Sequence, residues 1–118
     1  MLFNIVPEAA KYLADRNIAE IAKSTEFNNR PDALCVSGLT AGSETDTQVL
    51  SVVKNSVKRT PILCNTGCNK DNITRQLSVA DGAVCATTFK IDGIFENAVD
   101  EQRVKEFMDI VKEFRKTL

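Results

Sequence analysis

The chain has 118 residues, 43% of them hydrophobic and 26% charged, which is the size and composition of one globular domain and not of a disordered chain. Its 15 Lys and Arg oppose 16 Asp and Glu for a formal charge of -1, with the basic residues spread along the sequence, so nucleic acid is excluded as an expected partner. Histidine is absent, which excludes the common Cys/His zinc sets, a Ser-His-Asp triad and a Cys-His nucleophile; proton transfer would fall to Asp, Glu, Lys, Tyr or Cys.

No apolar run approaches the ~20 residues that cross a bilayer, so no membrane span is expected. The opening "MLFNIVPEAAKYLADR" has neither a basic n-region nor a long h-region, and a cytoplasmic location is the expectation. Cys35, Cys64, Cys68 and Cys85 are then expected to stay reduced.

In chain order, "LFNIV" at 2 to 6 is a candidate first strand, followed by a helix in which Ile18, Ile21 and Ala22 share a face. Three further segments repeat one design, a short apolar run ending in Gly, Ser, Thr or Asn and leading into a helical pattern. They are "DALCVSGLTAG" at 32 to 42, "PILCNTGCN" at 61 to 69 and "GAVCATTFK" at 82 to 90. Their near-continuous apolar character predicts strands of a parallel sheet. Val49, Leu50, Val53 and Val57 define the buried face of the second helix, with Thr45 and Gln48 read as its capping box. Ile73 and Leu77 mark a short third helix with Asn69 as cap, and Asp15, Asp46 and Asp71 are read as helix starts. Asp100 caps a last helix that buries Val104, Phe107, Met108, Val111 and Phe114. The order is β-α-β-α-β-α-β-α in a single domain, 1 to 118, and the fold class is α/β.

In a parallel sheet, ligands bind beyond the carboxyl ends of the strands, where loops converge and helix N-termini present free N–H groups. That edge holds Glu8 and Lys11; Ser37, Gly38, Thr40 and Gly42; Asn65, Thr66 and Gly67; Thr87, Thr88 and Lys90. Glycines let a backbone approach an anion, hydroxyls donate to its oxygens and a lysine adds charge, so a phosphorylated small molecule is one reading. Ordinary turn chemistry accounts for the same residue types. Lys90 serves as a neutralising charge or an amine nucleophile, or as a solvated loop residue; Glu8 and Lys11 are a pair at the pocket mouth or an exposed first-turn pair.

Strand alternation places Cys64 opposite Asn65 and toward the helices, with Cys35 on the face of Ser37 and Cys85 on that of Thr87, so the thiols are not expected to converge. The x3 spacing of Cys64 and Cys68 is not the CxxC of a zinc knuckle or a thioredoxin site. Buried small-hydrophobe roles are expected for the cysteines, with no metal and no cofactor.

The stretches "PDALCVSGLTAG", "NTGCNKDNI", "ADGAVCATTFKIDGIFENAVDEQRV" and "FMDIVKEF" resemble the carboxyl-terminal half of the BtpA family, to which photosystem I assembly proteins and the bacterial sgc-region proteins belong. The resemblance runs from about residue 2 to 116. It implies a TIM barrel of the ribulose-phosphate-binding type, with Ser37, Gly38, Thr40 and Gly42 after strand six, Asn65, Thr66 and Gly67 after strand seven, and Thr87, Thr88 and Lys90 after strand eight. The last two loops are where such barrels often hold phosphate. The family's activity is poorly defined, one branch being tied to photosystem I accumulation and others described as nucleoside triphosphatases. Ala86 stands where the family's pattern has glycine. A full barrel takes ~250 residues, so the chain is expected to be a half-barrel of four βα units, strands five to eight.

A four-strand arc leaves two open edges and an apolar inner face, which a homodimer or a complementary half would cover. The expectation is a truncated BtpA-like protein that keeps a phosphate-binding rim for a sugar phosphate or nucleotide without full catalysis. The alternatives are an assembly or stability factor acting by protein contact, and an enzyme completed by homodimerisation.

Overall fold

The computed structural model describes residues 1–8 and 10–118. Strands β1 (Leu2–Val6), β2 (Ala33–Val36), β3 (Ile62–Cys64) and β4 (Gly82–Ala83) alternate with helices α1 (Ile18–Asn29), α2 (Thr47–Ser56), α3 (Ile73–Leu77) and α4 (Glu101–Arg115). The strands form one parallel sheet in the order β1-β2-β3-β4, so every crossover steps in the same direction. Pro7 follows β1, and Pro31 and Pro61 precede β2 and β3, positions where no ladder N–H is lost.

Alternation along the strands sorts their side chains. Ile5, Leu34, Val36, Ile62 and Cys64 point into one core with Ile21 and Ala22 of α1, Leu50 and Val53 of α2, Ile73 of α3, and Phe107 and Val111 of α4. Leu34, Leu50, Val53 and Ile62 are completely buried, and each contributes about 1.5–3 kcal/mol relative to an exposed side chain. Val104, Met108 and Phe114 are half-buried beside that face of α4. On the sheet's other face, Leu2 and Val84 keep 55% and 41% of their surface exposed.

The helix ends follow side-chain chemistry, with three departures from the sequence reading, one of them at α3, whose N-cap is Asn72, without a side-chain cap bond, and not Asn69 or Asp71. Asp46, not Thr45, caps α2, its Oδ1 accepting from Gln48 N at 2.7 Å. Thr45 is fully buried instead, and its hydroxyl is hydrogen-bonded to Val36 O and Thr66 O, both at 3.2 Å. A hydroxyl with carbonyls in reach is worth more inside than at a solvated cap, where the adjacent carboxylate is the better acceptor. Asn17 rather than Asp15 caps α1, accepting from Ala19 N at 2.8 Å. Asn69 accepts from Asp71 N and Asn72 N in the turn that leads into α3, and Asp100 caps α4 through Gln102 N and Arg103 N.

The apolar run that opens "GAVCATTFK", expected to be the last strand before a polar loop, is a strand only at Gly82–Ala83. Ala86 leaves extended geometry at φ -138°, ψ -72°, and Thr87–Phe89 and Ile91–Gly93 each form a short 3-10 turn. Asp92 and Gly93 both take positive φ there, 56° and 67°. Among the described residues, no helix is long and apolar enough to cross a membrane.

Candidate functional site

The loops after β2 and β3 are bolted to each other before they offer anything to a ligand. Gly38 N donates to Thr66 Oγ1 at 2.6 Å, and Asn65 Nδ2 donates to Ser37 Oγ at 2.9 Å. Ser37 is also hydrogen-bonded to the side chain of Asn4 on β1. Gly67 has φ +69°, and a Cβ there would lie 2.4 Å from the backbone of Ser43 and Glu44. A Cβ on Gly38 would meet Ser43 Oγ at 2.4 Å. Gly67 therefore serves the close approach of the two loops, and Gly38 the folding of the loop after β2 onto its own 43–44 stretch.

The same loops reach α3. Gln76 is fully buried and donates through Nε2 to Glu44 Oε1 at 3.0 Å and to Thr45 O at 2.9 Å. Glu44 also pairs with Arg75, whose guanidinium holds the carboxyl below its ordinary value. Asn72 Nδ2 donates to Gly67 O at 2.9 Å, closing the turn from inside.

Above this scaffold, at the carboxyl ends of β3 and β4, lies a cleft of about 330 Å³. Of the residues singled out in the sequence, Glu8, Gly42, Asn65, Thr66, Gly67, Thr87 and Thr88 line it. Ser37, Gly38, Thr40 and Lys90 do not. Thr40 closes a turn with Ser43, and Lys90 lies between the two 3-10 turns, its backbone bridged to Val99. Ala41, Cys68, Asn69, Val84, Cys85, Ala86, Gly93 and Arg103 complete the lining. Lys11 stands apart, beside Tyr12.

The cation at this cleft is Arg103, which sequence reasoning did not single out. It occupies the first turn of α4 just after the Asp100 cap, and its Nε donates to Thr88 O at 2.8 Å. One guanidinium edge thus fixes the 87–89 turn. Gly93 packs beside Nη2, where a Cβ would come to 3.4 Å. The signal was the Arg of "VDEQRV", one turn into a capped helix.

Three thiols also gather here, Cys64, Cys68 and Cys85; of the strand cysteines expected to stay apart, Cys35 does, while Cys64 and Cys85 share a face. Cys68 Sγ donates to Cys64 Sγ at 3.1 Å, and Cys85 lines the same cleft beside Cys68. Register explains the difference: Cys64 lies opposite Ala83, so Cys85, two residues on, falls on the face of Cys64, and the break at Ala86 separates it from Thr87. The bond from Cys68 draws the Cys64 thiol down to about 7 and lowers that of Cys85, while Cys68 itself is pushed up. Cys35 sits apart within β2, its thiol raised by burial. Among the described residues, no group of three or more Cys, Asp and Glu is arranged to hold a metal ion.

These features define a parallel α/β protein with a polar cleft over the carboxyl ends of its strands. The chain belongs to the BtpA family, whose model matches residues 1–113. It is 60% identical over 115 residues to the sgc region protein SgcQ of Escherichia coli, a match covering 98% of this chain and 43% of that protein. It is 26% identical over 113 residues to the photosystem I biogenesis protein BtpA of Synechocystis, covering 96% of this chain and 39% of that one. A mitochondrial protein of Caenorhabditis elegans, F13E9.13, is 32% identical over 104 residues, covering 87% and 36%. The chain thus spans about two fifths of the length of these curated relatives.

Proposed function

We propose that the chain is four βα units of an eight-unit barrel, strands five to eight, and that its cleft binds the phosphate of a small phosphorylated ligand, a sugar phosphate or a nucleotide. Two findings support the half-barrel. The strands follow one another in chain order, as they do around a closed ring and as they do not in a doubly wound sheet, whose order reverses. The matched relatives are more than twice as long. A second set of four strands, from the remainder of a longer chain or from a second copy, then covers β1, β4 and the face of Leu2 and Val84.

The observation that carries the ligand reading is the meeting of Arg103 with Thr87, Thr88 and Gly67 in one cleft above β3 and β4. Arg103 supplies the charge, with the N–H groups of its terminal nitrogens left over after Nε is committed to Thr88 O. Thr87 and Thr88 supply hydroxyls, and Asn65 an amide at the base. Gly42 and Gly67 shape the opposite wall, while Ser37, Gly38, Thr40 and Thr66 hold the rim in place. Lys90 plays no part at the phosphate. Binding needs only this half; a complete reaction needs groups from the other strands.

Thermal-shift titration of the chain with inorganic phosphate and a panel of sugar phosphates and nucleotides tests this. A rise in melting temperature that Thr87→Ala and Arg103→Gln both abolish is expected. No shift with any of them overturns the reading.

A second reading, assembly by protein contact, draws on the name of the Synechocystis relative and on Ile94, Phe95 and Val99, which are 49%, 68% and 60% exposed beside the 3-10 turns. It predicts a macromolecular partner whose binding Phe95→Ser removes and phosphates leave unchanged.

A further inference from the structure

The wall of the cleft contains a group of thiols that phosphate binding does not use. Cys68 and Cys85 both line the cleft, Cys85 half-buried and Cys68 only 5% exposed, while Cys64 is completely buried behind them. Cys68 is central: it donates to Cys64 at 3.1 Å and shares the cleft wall with Cys85, which strand register places on the face of Cys64. The three come from two different segments, Cys64 and Cys68 from β3 and its loop, Cys85 from the end of β4.

We propose that these thiols form a peroxide-responsive relay in the cleft wall, in which Cys85 takes up the oxidant, Cys68 closes a disulfide onto it, and Cys64 receives the proton that Cys68 gives up. The assignment follows from access and contact. Cys85 is the most exposed of the three and is reached from the cleft, so a small hydroperoxide meets it first. Cys68 stands in the same wall of the cleft as Cys85 and is bonded to Cys64 behind it. Cys64 has no path to solvent and can act only through Cys68.

The chemistry balances with a hydroperoxide as the oxidant. The Cys85 thiolate attacks the peroxide oxygen, the O–O bond breaks, and with one proton from water the products are Cys85 sulfenic acid and an alcohol, or water when the oxidant is hydrogen peroxide. Cys68 then passes its proton to the Cys64 thiolate and its sulfur displaces hydroxide from the sulfenic sulfur; the departing oxygen takes that proton on from Cys64 and leaves as water, so Cys64 ends as it began. In sum, two thiols and one hydroperoxide give one disulfide, one alcohol and one water. The lowered thiols of Cys85 and Cys64 suit the attacking and proton-accepting roles. The disulfide would tie the β3 loop to the end of β4 across the floor of the cleft, so the relay couples oxidation to the shape of the site, and it holds whether or not that site takes phosphate.

Tryptic fragments separate the outcomes, because Cys64 and Cys68 share the peptide 60–70 and Cys85 lies in 76–90. The chain is treated with stoichiometric hydrogen peroxide, blocked with N-ethylmaleimide, digested without reduction and mapped by mass spectrometry. The expected result is a cross-link between 60–70 and 76–90 that dithiothreitol reverses. In Cys68→Ser, with fold checked by circular dichroism, the cross-link disappears and Cys85 is trapped as a dimedone adduct; Cys35→Ser behaves as the unmodified chain does. A disulfide closed within 60–70, a cross-link that survives Cys68→Ser, or three fully alkylated thiols after peroxide each overturns the proposal.

Discussion

Arg103 Nε donates to the carbonyl oxygen of Thr88 at 2.8 Å, joining the first turn of α4 to the 3-10 turn that follows β4. The bond orients the guanidinium toward the cleft and at the same time fixes the turn that carries the two threonines. Arg103→Gln is expected to weaken phosphate-ligand binding at least tenfold, since a charge-assisted bond contributes about 1.5–3 kcal/mol and ~1.4 kcal/mol is a factor of ten. Arg103→Lys keeps the charge but not the Nε bond and should fall between. Isothermal titration of both variants checks this; equal affinity in Arg103→Gln removes Arg103 from the site.

A carboxylate holds the opposite end of the sheet. Glu26 of α1 accepts from the backbone N–H of Lys58, Arg59 and Thr60 and from the Thr60 hydroxyl, at 2.7 to 3.2 Å, and so pins the chain just before β3. Burial opposes its ionisation, but the Thr60 hydroxyl and the three N–H donors outweigh it and bring the carboxyl down to about 2. Because the folded value lies below the unfolded one, its stabilisation is fully present above pH ~4.5. It is lost as pH falls toward about 2. Glu26→Gln should cost about 1 kcal/mol at pH 7 after solvent screening. The difference in melting temperature from the unmodified chain should shrink steadily below pH ~4. A difference that does not change with pH would mean the charge has no part in it.

Two glycines at positive φ should respond differently to alanine. Gly67→Ala places a Cβ 2.4 Å from the backbone of Ser43 and Glu44, neither of which is the tip of a flexible side chain. The cost should reach about 2–4 kcal/mol, strain and steric clash together. Gly42, at φ +79° with open space around it, pays only the conformational strain, about 1 kcal/mol. Urea denaturation of both variants measures the contrast, and equal losses would mean the two loops are not locked together as described.

Apolar pattern was a reliable guide to the elements of this fold. Ile21 and Ala22, Leu50 and Val53, and Phe107 and Val111 all face the core as their spacing predicts, because helix period and burial are local properties. What the sequence concealed was long-range. Thr45 reads as a cap because its spacing to Gln48 is local, whereas the carbonyls it satisfies belong to Val36 and Thr66. Period-two alternation failed at the cysteines because it paired Cys85 with Thr87 across Ala86, where extended geometry ends, and no local rule marks that break. Family likeness named the loops that line the cleft, yet favoured Lys90 over Arg103. Only the path of the 87–93 turns puts the lysine outside and brings a helical arginine in.

The open face of the sheet supplies the last prediction. Leu2 on β1 and Val84 just after β4 point away from the helices and stay 55% and 41% exposed, and the outer edges of both strands are unpaired in the sheet order. If the chain is half of a ring, the isolated 118-residue chain should associate in solution, most simply as a two-fold dimer in which β4 of each copy meets β1 of the other. Size-exclusion chromatography with light scattering is expected to give twice the monomer mass at micromolar concentration. Val84→Lys puts an ammonium on the inner face without touching the core between sheet and helices, so it should shift the chain toward monomer while its helical circular dichroism is kept. A monomer at every concentration, with folded circular dichroism and no binding of a hydrophobic dye, would show that this sheet is content without a second half, and the ring closure would have to be abandoned.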